Sequence, residues 1–194
     1  MFVQHESISM RGKNMFKTFI KAAVFTAFVF VIGVPFAAAQ DDTYKAEFYG
    51  GYMYKRVTET PTSNVDKSSS GFNASYTGVL NKNIGGKFDF AISKKDGIYT
   101  TTYNGGVEFK NYSKDVKATP FVHILAGYAR ETGNGTTANG VNMVIGGGLD
   151  IKATDKISVR VIQADYNPFW WAREQTLKSK RTNSFRLGMG IVFH

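Results

Sequence analysis

The sequence predicts an all-β protein, an eight-stranded antiparallel up-and-down transmembrane β-barrel preceded by a cleaved signal peptide. Three observations carry this prediction. Large apolar side chains alternate with small or polar ones through eight segments, as in SFRLGMGIVFH at 184–194, the period of a strand with one apolar face. The opposite face mixes glycine with charges of both signs, a poor composition for a surface turned to bulk water, where glycine weakens a strand without packing against anything. No helical periodicity interrupts the segments, so they connect as an antiparallel meander.

The leader spans residues 1–39. From Met15, a possible true start in place of Met1, two lysines (Lys17 and Lys21) precede an apolar run from Ala22 to Val34, then Pro35 and Ala37-Ala38-Ala39. A charged region, an apolar region and a small-residue cleavage site make a secretory signal peptide. The run is short for the roughly 20 residues of a membrane helix. The barrel domain then covers 40–194. Of 24 Lys and Arg and 15 Asp and Glu, the leader removes Arg11, Lys13, Lys17, Lys21 and Glu6, leaving 20 basic and 14 acidic residues. An exported chain of that charge is expected to meet anionic lipid headgroups and not nucleic acid. With no cysteine, disulfides cannot hold it.

The strands follow in order. YKAEFYGGYMYKR sets Ala46, Phe48, Gly50, Tyr52 and Tyr54 against Lys45, Glu47, Tyr49, Gly51, Met53 and Lys55. SGFNASYTGVL sets Phe72, Ala74, Tyr76, Gly78 and Leu80 against Asn73, Ser75, Thr77 and Val79. IGGKFDFAIS and TYNGGVEFKN repeat the pattern, with Phe88, Phe90, Tyr103, Val107 and Phe109 on the apolar face. TPFVHILAGYAR is apolar on both faces, with Val122, Ile124, Ala126 and Tyr128 assigned outward, and GVNMVIGGGLDIK turns Val141, Met143, Ile145, Leu149 and Ile151 outward. In ISVRVIQADYN, Arg160 falls out of phase with Gln163 and Asp165 unless a bulge adds a residue between them. SFRLGMGIVFH is the eighth. Each is near the about 9–11 residues that a tilted transmembrane strand needs. VTETPTSNVDKSS, ETGNGTTAN and NPFWWAREQTLKSKRT are the longer connections and KKDGIYT a medium one; NKN and ATDK are short, and YSKDVKA weakens the contrast. Long connections on one rim and short turns on the other suit an outer-membrane barrel.

Hydrocarbon offers backbone groups no partners, so strands crossing it must close, and eight of them leave a lumen that side chains fill. Lys87, Asp89, Glu108, Lys110, Asp150, Lys152, Arg160 and Arg186 are expected inside as an ion-pair network. In the connection after the seventh strand, Phe169, Trp170 and Trp171 fit the membrane interface, where tryptophan concentrates. Arg173, Lys178, Lys180 and Arg181 then suit glycolipid phosphates or a solvated loop.

TPFVHILAGYAR, GGGLDIK, RVIQADY and FRLGMGIVFH together resemble the small outer-membrane barrels related to the OmpA transmembrane domain, in the form encoded in acidobacterial genomes. The resemblance covers mainly the last eighty or so positions. It implies an eight-stranded meander, delivery by the barrel-assembly machinery and no catalytic residues. It also implies an assembly signal in the last strand, carried here by Phe185, Leu187, Met189, Ile191 and Phe193. His194 follows where the family usually ends on an aromatic.

Other chemistry is weakly signalled. GGGLD lacks the Gly-Lys-Ser/Thr ending of a phosphate loop and lies within a strand. His123 and His194 are too few and too far apart for a metal site, so no cofactor or metal is expected. A hydrolase built on His123 with Glu108 or Asp150 and a serine lacks any local motif. The expected function is non-enzymatic: a monomeric barrel in the cell outer membrane, contacting outer-membrane lipid and lipopolysaccharide, with a structural or envelope-interaction role through its surface loops and no wide pore. No further domain is expected after the last strand. The alternatives are a narrow channel for ions or very small solutes and, behind it, a lipid-A-modifying enzyme.

Overall fold

The computed structural model describes residues 42–58, 67–133, 136–172 and 180–194; the segment 1–39, expected to be a signal peptide, lies outside them. Eight strands, β1 (Ala46–Thr58), β2 (Lys67–Val79), β3 (Ile84–Lys95), β4 (Ile98–Lys110), β5 (Ala118–Gly133), β6 (Thr136–Lys152), β7 (Ile157–Ala172) and β8 (Lys180–Phe193), pair antiparallel in chain order. β8 returns to β1, with Phe48 opposite Phe193 and Tyr54 opposite Leu187. Closure leaves no strand edge, which is what a sheet in hydrocarbon requires.

The alternation dictates the two faces. Phe48, Tyr52, Phe72, Phe90, Tyr103, Val107, Val122, Ile124, Val141, Ile145, Leu187 and Met189 point outward, while Tyr49, Asn73, Asp89, Glu108, Leu125 and Val144 are buried inside. Aromatic pairs brace neighbouring strands on the outer face, Phe48 against Tyr76 at 4.9 Å between centroids and Tyr52 against Phe72 at 5.8 Å. Cross-strand pairs of this kind stabilise a sheet by about 0.2–1 kcal/mol each. The five side chains expected to carry the assembly signal all lie on this face.

The out-of-phase seventh strand is resolved by a bulge. Leu149 pairs with Ile162 but Asp150 pairs with Arg160, so Val161 is the extra residue. Val161 and Ile162 both face outward, and Arg160, Gln163 and Asp165 all face inward.

Three connections differ from expectation. KKDGIYT is no medium loop: Asp96 and Gly97, with φ of 48° and 76°, make a two-residue turn whose backbone matches the right-handed twist of the paired strands. ETGNGTTAN is mostly strand, because β5 runs to Gly133 and β6 starts at Thr136. NPFWW also belongs to a strand, since β7 continues to Ala172. With 12–17 residues, the strands exceed a hydrocarbon span and carry the barrel past it.

Candidate functional site

The lumen is the most elaborately built part of the molecule. Inward positions of all eight strands converge there on a hydrogen-bonded set of buried charges. Lys110 donates to both oxygens of Glu47 at 2.8 and 2.7 Å and to Asp150 Oδ2 at 2.7 Å. Asp150 also accepts from Arg160, Nε to Oδ1 at 2.8 Å and Nη2 to Oδ2 at 3.0 Å, the two-pronged geometry that makes an arginine–carboxylate bond strong. Arg160 Nη1 donates to Gln163, Gln163 Nε2 to Asp165, and Arg186 spans Asp165 and Asp89 through Nε and Nη1 at 2.7 and 3.0 Å. Asn73 donates to Asp89 and accepts from Tyr49. The circuit that leaves β1 at Glu47 therefore returns to β1 at Tyr49. Lys87 is bonded to Glu108, and His123 on β5 lies between Glu108 and Asp165, 3.0 Å from the latter.

Seven of the expected network charges, Lys87, Asp89, Glu108, Lys110, Asp150, Arg160 and Arg186, are buried in this set. Lys152 is not. It sits at the rim and binds Asp155 and the Lys114 carbonyl, because β6 has reached its end there. Glu47, Asp165 and His123 are essential members that alternation alone did not single out. Glu47 shares the inward face of β1 with Tyr49, and Asp165 joins once the bulge restores its phase. Small residues make room: a Cβ at Gly146 would collide with the Asp165 carboxylate, and one at Gly148 would meet the Phe121 ring. Aromatic faces complete the packing, with the Arg160 guanidinium 4.0 Å from the Phe121 centroid and 4.3 Å from that of Tyr49. Desolvated cation–π contacts of this kind contribute on the order of 2 kcal/mol.

Both ends of the lumen are covered. At the end bearing residue 42 and His194, Tyr44 N–H donates to the Tyr112 carbonyl and Lys114 N–H to that of Asp42. Tyr112, wholly buried, donates to Glu108 at 3.3 Å. Burial and the Glu108 and Glu47 carboxylates push the Tyr112 phenol well above its usual range, and burial raises that of Tyr44. The trailing His194 also has a place. Its ring stacks on Tyr44 at 3.8 Å, Nε2 meets Ser158 Oγ at 2.8 Å and Nδ1 lies 3.1 Å from Glu47.

At the other end Phe169 corrects the expected interface role. It is buried in the lumen, under the Lys55 ammonium at 4.7 Å and stacked on Trp171 at 5.3 Å. β7 carries its inward phase through Asp165, Asn167 and Phe169, so an aromatic that sequence proximity to two tryptophans drew to the surface turns inside. Trp170 faces outward and meets Arg181 at 5.7 Å. Lys180 lies opposite Trp171 in the register; Arg173 and Lys178 lie outside the described residues.

Ser158, His194 and Glu47 lie in the order of a hydrolase relay, but the geometry does not make one. His194 Nδ1 is not aligned to donate to Glu47, both Glu47 oxygens already take Lys110 protons, and Ser158 is buried. A nucleophile needs a free path to its substrate and an oriented base.

No protein-family model matches the chain, and no curated protein sequence does. Solved structures do. Neisserial surface protein A superposes with a TM-score of 0.60 at 10% identity, covering 78% of this chain and 97% of that one. Ail, the attachment invasion locus protein of Yersinia pestis, gives 0.47 at 20% identity over 76% of this chain and 97% of that one. The N-terminal β-barrel domain of Pseudomonas aeruginosa OprF gives 0.48 at 13% identity over 78% and 98%. The first of these establishes the likeness in fold. An apolar outer belt around a closed barrel and a polar packed interior, together with this likeness, give the chain the eight-stranded fold of outer-membrane barrels.

Proposed function

We propose that the protein is a non-enzymatic, non-conducting barrel that serves the envelope as a membrane-embedded structural element and through contacts made at its loop rim. The observation that carries this reading is the circuit from Glu47 back to Tyr49. It crosses the lumen, engages Glu47, Asp150, Asp165 and Asp89 with fixed cations, and is capped by Tyr112 at one end and Phe169 at the other. An ion would have to displace buried pairs, and removing one partner of such a pair costs about 3–5 kcal/mol. Phospholipid and lipopolysaccharide are the proposed neighbours. Arg181, exposed beside Trp170, is suited to a headgroup phosphate. Assembly by the barrel-assembly machinery, a monomeric state and kinship with the acidobacterial form of OmpA-related barrels are proposed on the sequence segments that carry that resemblance.

Reconstitution of the folded barrel into planar bilayers tests the reading. No steady single-channel conductance is expected in molar salt. Reproducible unitary steps would return the narrow-channel alternative.

A further inference from the structure

Every charged side chain that the described strands turn outward has the same sign. Arg56 on β1, Lys94 on β3, Arg130 on β5 and Arg181 on β8 are exposed on the outer face. All four lie toward one rim, that of the β1–β2 and β7–β8 connections. Long connections mark the extracellular rim of such barrels, so these cations face the outer leaflet. No outward position of the described strands carries a carboxylate to offset them.

Below two of these cations the wall is hollow. Gly50, Ala74 and Phe90 form one cross-strand row on β1 to β3, and Tyr52, Phe72 and Ile92 form the row above it. These six residues line an apolar groove of about 490 Å³, within the about 300–1,000 Å³ of small-molecule sites. Its floor is lowest at Gly50, where an added Cβ would meet nothing within 4 Å. The Tyr52 and Phe72 rings brace one another at 5.8 Å, which fixes the upper edge.

Toward the rim the same strands become polar. The next row is Tyr54, Ser70, Lys94 and Tyr99, and the one after it pairs Arg56 with Ser68. The Lys94 ammonium is held over the Tyr99 ring, 4.9 Å from its centroid. Arg56 and Lys94 stand two strands and two residues apart, about 12 Å between backbones, with small serines between them on β2. All of these side chains donate hydrogen bonds, and phosphate oxygens accept them strongly from cations. Two cations so far apart, with hydroxyls between, suit a broad headgroup with separate phosphates better than the single phosphate of a phospholipid. Ala74 lies four residues below Ser70, about 13 Å along the strand. That is within the roughly 15 Å that the chains of one leaflet occupy.

We propose that the β1–β3 wall binds one molecule of a bisphosphorylated, multiply acylated glycolipid, its phosphates at Arg56 and Lys94 and one acyl chain in the groove over Gly50 and Ala74. The proposal rests on the envelope reading and gives the lipid contact a definite place on the molecule.

Native mass spectrometry of the full barrel, released from detergent micelles containing purified bisphosphorylated lipid A, tests the site. One lipid A retained per barrel is expected, and none retained overturns the proposal. Arg56→Gln and Lys94→Gln should each lower retention about fivefold, the equivalent of the about 1 kcal/mol that a basic residue contributes at an anionic membrane surface. Arg130→Gln removes the same charge away from the groove and should leave retention unchanged. Gly50→Leu fills the hollow without touching a cation and should lower it as well. Equal losses in all three cation variants would mean unspecific attraction to a positive rim and overturn the site. So would full retention in Gly50→Leu, or phosphatidylglycerol retained as well as lipid A. A lipid-free dimer would also overturn it, since a second copy would then cover the groove. None of these results alters the conductance test of the envelope reading, so the two fail separately.

Discussion

Glu108 shows how a single buried carboxylate holds several strands. It accepts from Lys87 on β3 and from Tyr112 beyond β4, and it faces His123 on β5. Replacing it with leucine leaves the Lys87 ammonium buried and unpaired, the situation that costs about 3–5 kcal/mol. Urea unfolding of Glu108→Leu in detergent micelles is expected to show a loss of that size. Lys87→Met added to Glu108→Leu should recover most of it, because an apolar pair of similar volume removes both desolvation costs. A double variant as unstable as the single one would mean that Glu108 acts through something other than this pair. Tyr112 offers a pH test. Its folded phenol ionises well above the usual value, whereas in the unfolded chain it ionises near about 10. Stability from this group is therefore fully present below that pH and is lost as pH rises beyond it, when the unfolded state alone releases the proton. Unfolding midpoints measured from pH 9 upward should fall more steeply for the wild type than for Tyr112→Phe, and parallel slopes would contradict the assignment.

At the scale of the strand, period-two alternation is the device that sorts every side chain, and it depends only on local sequence. That is why the faces of β1 to β6 and β8 were legible beforehand, with seven of the network charges. What local pattern does not contain is where a strand stops and where it slips. Strand ends depend on partners: β5 and β6 extend one another through residues that read as a polar loop, down to Gly133 opposite Thr136. Phe169 was misplaced for the same reason, although carrying the phase of Asp165 and Asn167 forward by two would have turned it inward. His194 could not be placed from the sequence, because Tyr44, Glu47 and Ser158 come from distant positions. The bulge at Val161 could be required by the alternation but not located by it, since Val161 and Ile162 are equally apolar. Its position makes a prediction. Deleting Val161 leaves Arg160 inward, Ile162 outward and Gln163 inward, a regular strand with the pairings Asp150–Arg160 and Leu149–Ile162 retained. The deletion variant should therefore fold and show a heat-modifiable band on a gel, with an unfolding midpoint near that of the wild type. Failure to fold would show that the extra local twist a bulge supplies is itself needed for closure.

For the molecule as a whole, the arrangement inverts that of a water-soluble domain: charges are inside and the large apolar side chains are outside. The inversion has a measurable depth profile, because the cost of a charge on the outer face depends on the medium it meets. Ile145 and Ile151 share the outer face of β6 and have similar exposure, 45% and 41%. Ile145 lies mid-strand, opposite Ile124 and Tyr166, whereas Ile151 is one residue from the strand end. An arginine at the hydrocarbon midplane of a barrel costs about 2–4 kcal/mol, against about 0–1 near the interface. Ile145→Arg should therefore lose a few kcal/mol in urea unfolding from lipid vesicles, and Ile151→Arg should lose little. Neither substitution touches the lumen network, so the difference between them reports the surroundings of the outer face alone. Repeating the pair in vesicles of longer acyl chains should raise the cost at Ile151, as a thicker hydrocarbon layer reaches toward the rim. Equal and small losses at both positions would mean that this face meets water or protein, and the membrane-embedded reading would fall with them.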